Sequence, residues 1–226
     1  MNLSKNTLAE QIYQILRNDI LTLAIPLGEK LTLKTMQERF GVSSTPIRDA
    51  FTRLTEDGLV NYYSNIGVSV IDLTRNDLIE LYQFMGDLDS LAIRYSAAFP
   101  DQSQVHTALT RILTEAETLE KSLETGQHST EEINHWINCS DQFHLIFYDF
   151  CGNGRLKRAA ERQRSQLTIF SNMYESQPTT QKQIASWHKS IYNAYCQGQA
   201  DLAARKMKDH LDESLTYALE ALDQVR

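Results

Sequence analysis

The sequence predicts a mainly α protein: an N-terminal winged helix-turn-helix domain, then a C-terminal all-α bundle of six helices. Three observations carry that prediction. Residues 32–60 read as a short helix, a tight turn and a second helix. A strand-turn-strand pattern follows directly. Beyond Asp72 the apolar residues recur only at helical spacing.

The elements follow in order. Residues 7–23 form an amphipathic helix with Leu8, Ile12, Ile15, Leu16, Ile20 and Leu23 as its stripe, broken by Pro26-Leu27-Gly28. In the next pair of helices Phe40-Gly41-Val42 makes the turn. Gly41 can end a helix in the left-handed conformation without a side-chain clash. Ser43 or Ser44 is the expected cap of the second helix, and Pro46 falls in its first turn, where a missing N–H costs little. Ile47, Ala50, Phe51 and Leu54 give that helix one apolar face, while Thr45, Arg48, Thr52 and Arg53 lie on others. Gly58 closes it. Residues 59–63 and 68–71 then read as two strands joined across Ser64-Asn65-Ile66-Gly67, which makes a wing. A helix-turn-helix of this form presents its second helix to a DNA major groove.

The expected boundaries are residues 1–72 for the winged domain, 73–77 for a hinge and 78–226 for the helical domain. In the latter, Leu78, Leu81, Tyr82, Met85, Leu88, Ala92 and Tyr95 form one stripe. Val105, Ala108, Leu109, Ile112, Ala116 and Leu119 form the next. Further helices are expected over about 131–150, 156–174, 181–196 and 200–222, with Pro178 outside the fourth and fifth. Short connections imply antiparallel neighbours.

Composition narrows the function. The formal net charge is −7 and the isoelectric point about 5.4. Residues 1–72 carry seven Lys and Arg against eight Asp and Glu. That balance excludes indiscriminate DNA binding and leaves room for a specific reader with a few placed cations. Three cysteines, an odd number, and an N-terminus without an apolar core predict reduced thiols in the cytoplasm. No apolar run approaches the length of a membrane span.

Three histidines fall on the apolar stripes of three helices. The stripes are Ile133-Ile137-Ser140-His144-Phe147-Cys151, Ile184-His188-Ile191-Tyr195 and Ala203-Met207-His210-Ser214. Converging in a core, His144, His188 and His210 would suit a divalent transition metal such as Zn²⁺ or Ni²⁺. The alternative is that each is a hydrogen-bonded core residue, and spacing does not choose between the two. His106, His128 and His135 lie off these stripes and read as surface residues. The cysteines read as small core hydrophobes.

The text GVSSTPIRDAFTRLTEDGLV, followed by Gly67, resembles the winged helix-turn-helix of the GntR family of bacterial transcriptional regulators. The segments LTRNDLIELYQFMGDLDSLA, DQFHLIFYDFCGN, HKSIYNAY and MKDHL resemble the FCD effector domain of its FadR subfamily. The resemblance implies a homodimer that binds a palindromic operator and responds to a small metabolite, often a carboxylate. It implies DNA contacts at Lys34, at Ser44, Thr45 and Arg48, and at Ser64, Asn65 and Gly67 of the wing. It implies metal ligands at His144, His188 and His210. The family's fourth ligand position, an Asp or Asn, is Ser140 here, with Asp141 beside it as a substitute. An Arg often found on the first effector helix is Met85 here, so either the effector is less acidic than the family norm or another cation such as Arg94 or Arg162 holds it, with Asp89 the retained acid of that helix. Ser44 stands where the family usually has Arg.

Within this frame Arg48 is the base reader, because its planar fork matches guanine O6 and N7. Ser44 and Thr45 position a phosphate at the helix N-terminus. Lys34 and Arg53 are expected to supply point charges to phosphate, or simply solubility. Two other functions are compatible with three histidines: a regulator whose effector is the metal itself, and a metal-dependent hydrolase. The second lacks a general-base motif such as HExxH, so no enzymatic activity is expected.

Overall fold

The computed structural model describes residues 7–63, 67–123 and 129–224. The chain divides into two compact units, the first holding everything up to Thr74 together with residues 162–169, the second the remainder.

In the first unit, α1 (Leu8–Leu21) is capped by Thr7, whose hydroxyl accepts from the amide of Glu10. Its buried face is Ile12, Tyr13, Leu16, Ile20 and Leu21. Leu8 and Ile15, expected on the stripe, are 49% and 44% exposed. Next comes β1 (Lys30–Thr32), then α2 (Leu33–Phe40), capped by Thr32 through the Thr35 amide. Gly41 ends α2 at φ 65°, and α3 (Ser44–Glu56) follows. Ser43 is its N-cap, but no side-chain bond caps the helix, so the expected hydroxyl cap is not made. Ile47, Ala50, Phe51 and Leu54 are fully buried. Each of the larger ones stabilises the unit by about 1.5–3 kcal/mol.

The wing strands are β2 (Val60–Tyr63) and β3 (Gly67–Val70). The sequence reading missed β1, because three residues carry no period of their own. They become a strand by pairing with β3, giving the antiparallel order β1-β3-β2. Gly67 faces both Thr32 and Tyr63 across the ladder. It has φ 138°, and a Cβ there would run into the carbonyl oxygen of Leu31. A glycine is therefore required for the close approach of the two strands.

The second unit contains α4 (Arg75–Ser96), α5 (Gln102–Leu123), α6 (Thr130–Phe150), α8 (Pro178–Cys196), α9 (Ala200–Gln224) and the two ends of α7 (Gly154–Tyr174), whose residues 162–169 fall in the first unit. Helix α4 packs along α9 and against α6, while α5 packs on α6 and α8, and α8 on α9. Since α4 starts at Arg75, only Leu73 and Thr74 of the expected 73–77 hinge lie outside the helix. Pro178 does not separate two helices. It opens α8, where its fixed φ suits the first turn. A reciprocal Ser129–Glu132 capping box starts α6, and Asn153 caps α7 through the amides of Arg155 and Leu156. On α4, Tyr95 is 44% exposed, and Asp89, Ile93 and Ser96 are buried instead. Among the described residues no helix is long and apolar enough to cross a membrane.

Candidate metal centre and DNA-reading face

The cations of the first unit separate into two groups. Arg39 pairs with Asp19 at 2.6 Å. Arg53 pairs with Glu10 and lies 3.8 Å over the ring of Tyr13. That pairing holds the Glu10 carboxyl below its usual range. Arg53, expected to offer a charge to phosphate, is thus committed within its own unit. Lys30, Lys34 and Arg48 are exposed and form no ion pair among the described residues. Arg48 and Thr45 stand exposed on the first turns of α3, with Ser44 half-buried beside them. The wing residues Ser64 and Asn65 lie outside the described residues. Gly67 is buried, and its side-chain-free position serves the β1–β3 approach.

In the second unit the structure brings His144 (α6), His188 (α8) and His210 (α9) together. They are 5%, 3% and 3% exposed. One ring nitrogen from each lies within 4.8 Å of the others, and Nε2 of His144 is 3.3 Å from Nε2 of His188. Phe143 stacks on His188 with ring centroids 4.2 Å apart, and the tilted Trp187 ring lies 6.2 Å from His210. Three buried imidazoles at this spacing form a nitrogen donor set of the kind a divalent transition ion takes. Nδ1 of His144 bonds Asp89 Oδ2 at 2.8 Å, and Asp89 also accepts from the Tyr148 hydroxyl. Asp89 is 1% exposed. Its carboxylate turns the other nitrogen of His144 toward the cluster. Asp141 is half-buried and its carboxylate is not among the convergent ligand atoms, so it does not replace Ser140 as a fourth ligand here.

Residues 80–213, more than half of the chain, match the FCD domain, and residues 8–70 match the bacterial regulatory proteins of the gntR family. The chain belongs to the GntR family and carries an FCD domain. It is 24% identical over 214 residues to the uncharacterized HTH-type transcriptional regulator YdhC of Bacillus subtilis, covering 95% of this chain and 92% of that protein. It is 23% identical over 206 residues to the HTH-type transcriptional repressor RspR of Escherichia coli, covering 90% and 86%. Among solved structures, E. coli McbR/YncC has the same fold, with TM-score 0.74 and 18% identity over 95% of this chain and 98% of that one. A GntR-family regulator is what the fold and relatives support, and not an enzyme.

The FCD domain also holds a cavity of about 430 Å³ among α5, α6 and α8. Its wall includes Leu113, Trp136, Ser140, His188, Lys189 and Tyr192. The indole Nε1 of Trp136 is buried without a hydrogen-bond partner among the described residues. The effector residues expected from sequence lie elsewhere. Arg94 is exposed and pairs with Asp201 at 2.8 Å. Arg162 is exposed on α7 and does not line the cavity. Asp89 holds His144, as described. Met85 is fully buried in the core of the bundle. Trp136 gave no sequence signal beyond an aromatic on a helix. Asp89 did: an acid on an otherwise apolar stripe needs a buried partner.

Proposed function

We propose that this GntR-family chain is a homodimeric, cytoplasmic repressor of transcription. It binds a specific operator and releases it when a small oxygen-rich metabolite, such as a carboxylate, occupies the FCD cavity. The observation that carries this reading is that His188 belongs both to the cavity wall and to the cluster of three imidazoles. A cavity of about 430 Å³ fits the size range of small-molecule sites. It offers the Ser140 and Tyr192 hydroxyls and Lys189 as donors for a ligand oxygen, with Glu117 and Glu120 also on its wall.

His144, His188 and His210 would hold a zinc- or nickel-class ion. Such an ion would supply a Lewis-acidic position toward which a ligand oxygen is drawn. The chain's own residues do the rest. Asp89 fixes the His144 ring, and Phe143 fixes that of His188 by stacking. Because Asp89 is on α4, a ligand that shifts His144 acts on the helix that four residues separate from β3. Coupling of this kind requires the ligand to prefer one conformation.

On the DNA side, Arg48 reads a base and Lys34 meets phosphate, both free of internal ion pairs among the described residues. The amides at the start of α3 are not taken by a Ser43 side chain, which leaves them for a phosphate with Ser44 and Thr45. The dimer is supported by Phe84, Leu91 and Tyr95, which share one face of α4 and are 46%, 37% and 44% exposed. The similarity to RspR, itself named a repressor, favours repression.

The test combines native mass spectrometry of the purified full chain with operator titration. A dimer mass, a bound metal ion and operator release by members of a carboxylate panel at constant metal are expected. Release by metal alone would make the ion the effector. No release by either, with a cavity variant such as Trp136→Phe behaving as wild type, would overturn the reading.

A further inference from the structure

Outside the three-histidine cluster, Glu115 on α5 and His135 and Cys139 on α6 also bring ligand atoms within 4.8 Å of one another. We propose that these three residues form a second, separate site for a divalent ion of the zinc and cobalt class. His135 and Cys139 stand four residues apart on α6, so their side chains leave the helix on one face. Helix α5 packs alongside and delivers Glu115, whose Oε1 lies 2.7 Å from Nε2 of His135. No residue is shared with the cluster of His144, His188 and His210.

The donor set chooses the ion. One sulfur, one imidazole nitrogen and one carboxylate oxygen suit borderline-soft ions such as Zn²⁺ and Co²⁺, and do not suit Mg²⁺ or Ca²⁺. Three protein ligands leave a fourth tetrahedral position for water. The Cys139 sulfur is free of any disulfide and forms the buried floor, 3% exposed. The His135 and Glu115 side chains, 50% and 41% exposed, form the open mouth. An ion entering from solvent would bind all three, release the thiol proton to solvent and replace the Glu115–His135 contact with two metal bonds. It would also clamp together two helices that wall the cavity.

The test is a Co²⁺ titration of the full chain under reducing, oxygen-free conditions. A thiolate-to-cobalt charge-transfer band in the near ultraviolet is expected. The three-imidazole cluster has no sulfur and cannot produce it, so the result is independent of the proposed function. The band is expected to vanish in Cys139→Ser and to persist in Cys151→Ser and Cys196→Ser. In His135→Gln and Glu115→Gln, at half-exposed positions where folding is not at stake, cobalt affinity read from the band should fall at least about tenfold. No band in the wild type, a band that survives Cys139→Ser, or unchanged affinity in both mouth variants would overturn the proposal.

Discussion

Asp89 on α4 accepts a hydrogen bond from Nδ1 of His144 on α6 over 2.8 Å. An ionised carboxylate has no proton to give, so the hydrogen sits on Nδ1 and the lone pair of Nε2 is turned toward His188. Asp89→Asn keeps the shape and removes the charge. Metal affinity measured against a chromophoric chelator should fall roughly 10–100-fold, with the helical circular dichroism unchanged. Unchanged affinity would leave Asp89 a packing residue.

Arg48 and Lys34 should separate by kind of effect. Arg48→Ala should cost about 1–3 kcal/mol in operator affinity and relax preference at one base pair per half-site. Lys34→Ala should weaken all sequences alike and reduce the salt slope by about 1. Titration against single-base operator variants at several salt concentrations distinguishes them. Uniform weakening by Arg48→Ala would reassign that side chain to phosphate.

The glycine at the β1–β3 crossing makes a stability prediction. Gly67→Ala adds a Cβ against the Leu31 carbonyl at a φ of 138°. A loss of about 1–3 kcal/mol is expected in chemical denaturation, with weakened operator binding following from the displaced wing. An alanine variant as stable as wild type would show that the strands can separate freely.

Tyr13 sets an alkaline limit. Burial, with the Asp57 carboxylate accepting its hydroxyl, pushes the phenol up to about 12. The folded value is raised above the ordinary value of about 10, so the stabilisation is complete below pH ~10. It is lost as pH rises through the folded value of about 12. The stability difference between wild type and Tyr13→Phe, followed by urea denaturation, should therefore shrink across that window. A difference that stays constant would place the contribution in packing alone.

For the dimer, Leu91→Glu puts a charge in the middle of the exposed apolar face of α4. Sedimentation should report monomers at concentrations where wild type is dimeric. Persistence of the dimer would move the interface to another face.

Much of this organisation is legible in the sequence because it is periodic. Gly41 and the apolar run Ile47 to Leu54 carry the helix-turn-helix, and the stripes of α6, α8 and α9 point His144, His188 and His210 inward before any contact is known. What was not legible depends on encounters between elements. Strand β1 exists because β3 arrives beside it. Arg53 looks like a solvent cation until Glu10 and Tyr13 of α1 close on it. His135 reads as a surface residue by its place on α6, and only the α5 packing brings Glu115 to it. Asp89 was expected at the effector, whereas it holds His144, a partner 55 residues away. No local pattern reaches that far.

Thr32 occupies two structures at once. It pairs with Gly67 at the end of the β1–β3 ladder, and its hydroxyl caps α2. The strand that carries the wing and the start of the helix-turn-helix are therefore fixed to each other before any DNA arrives. Their relative orientation is not a freedom that must be frozen on the operator, so less conformational entropy is lost at binding. If Arg48 and the wing read the operator as proposed, a reader with few cations gains from this: affinity would come from a preset arrangement rather than from added charge.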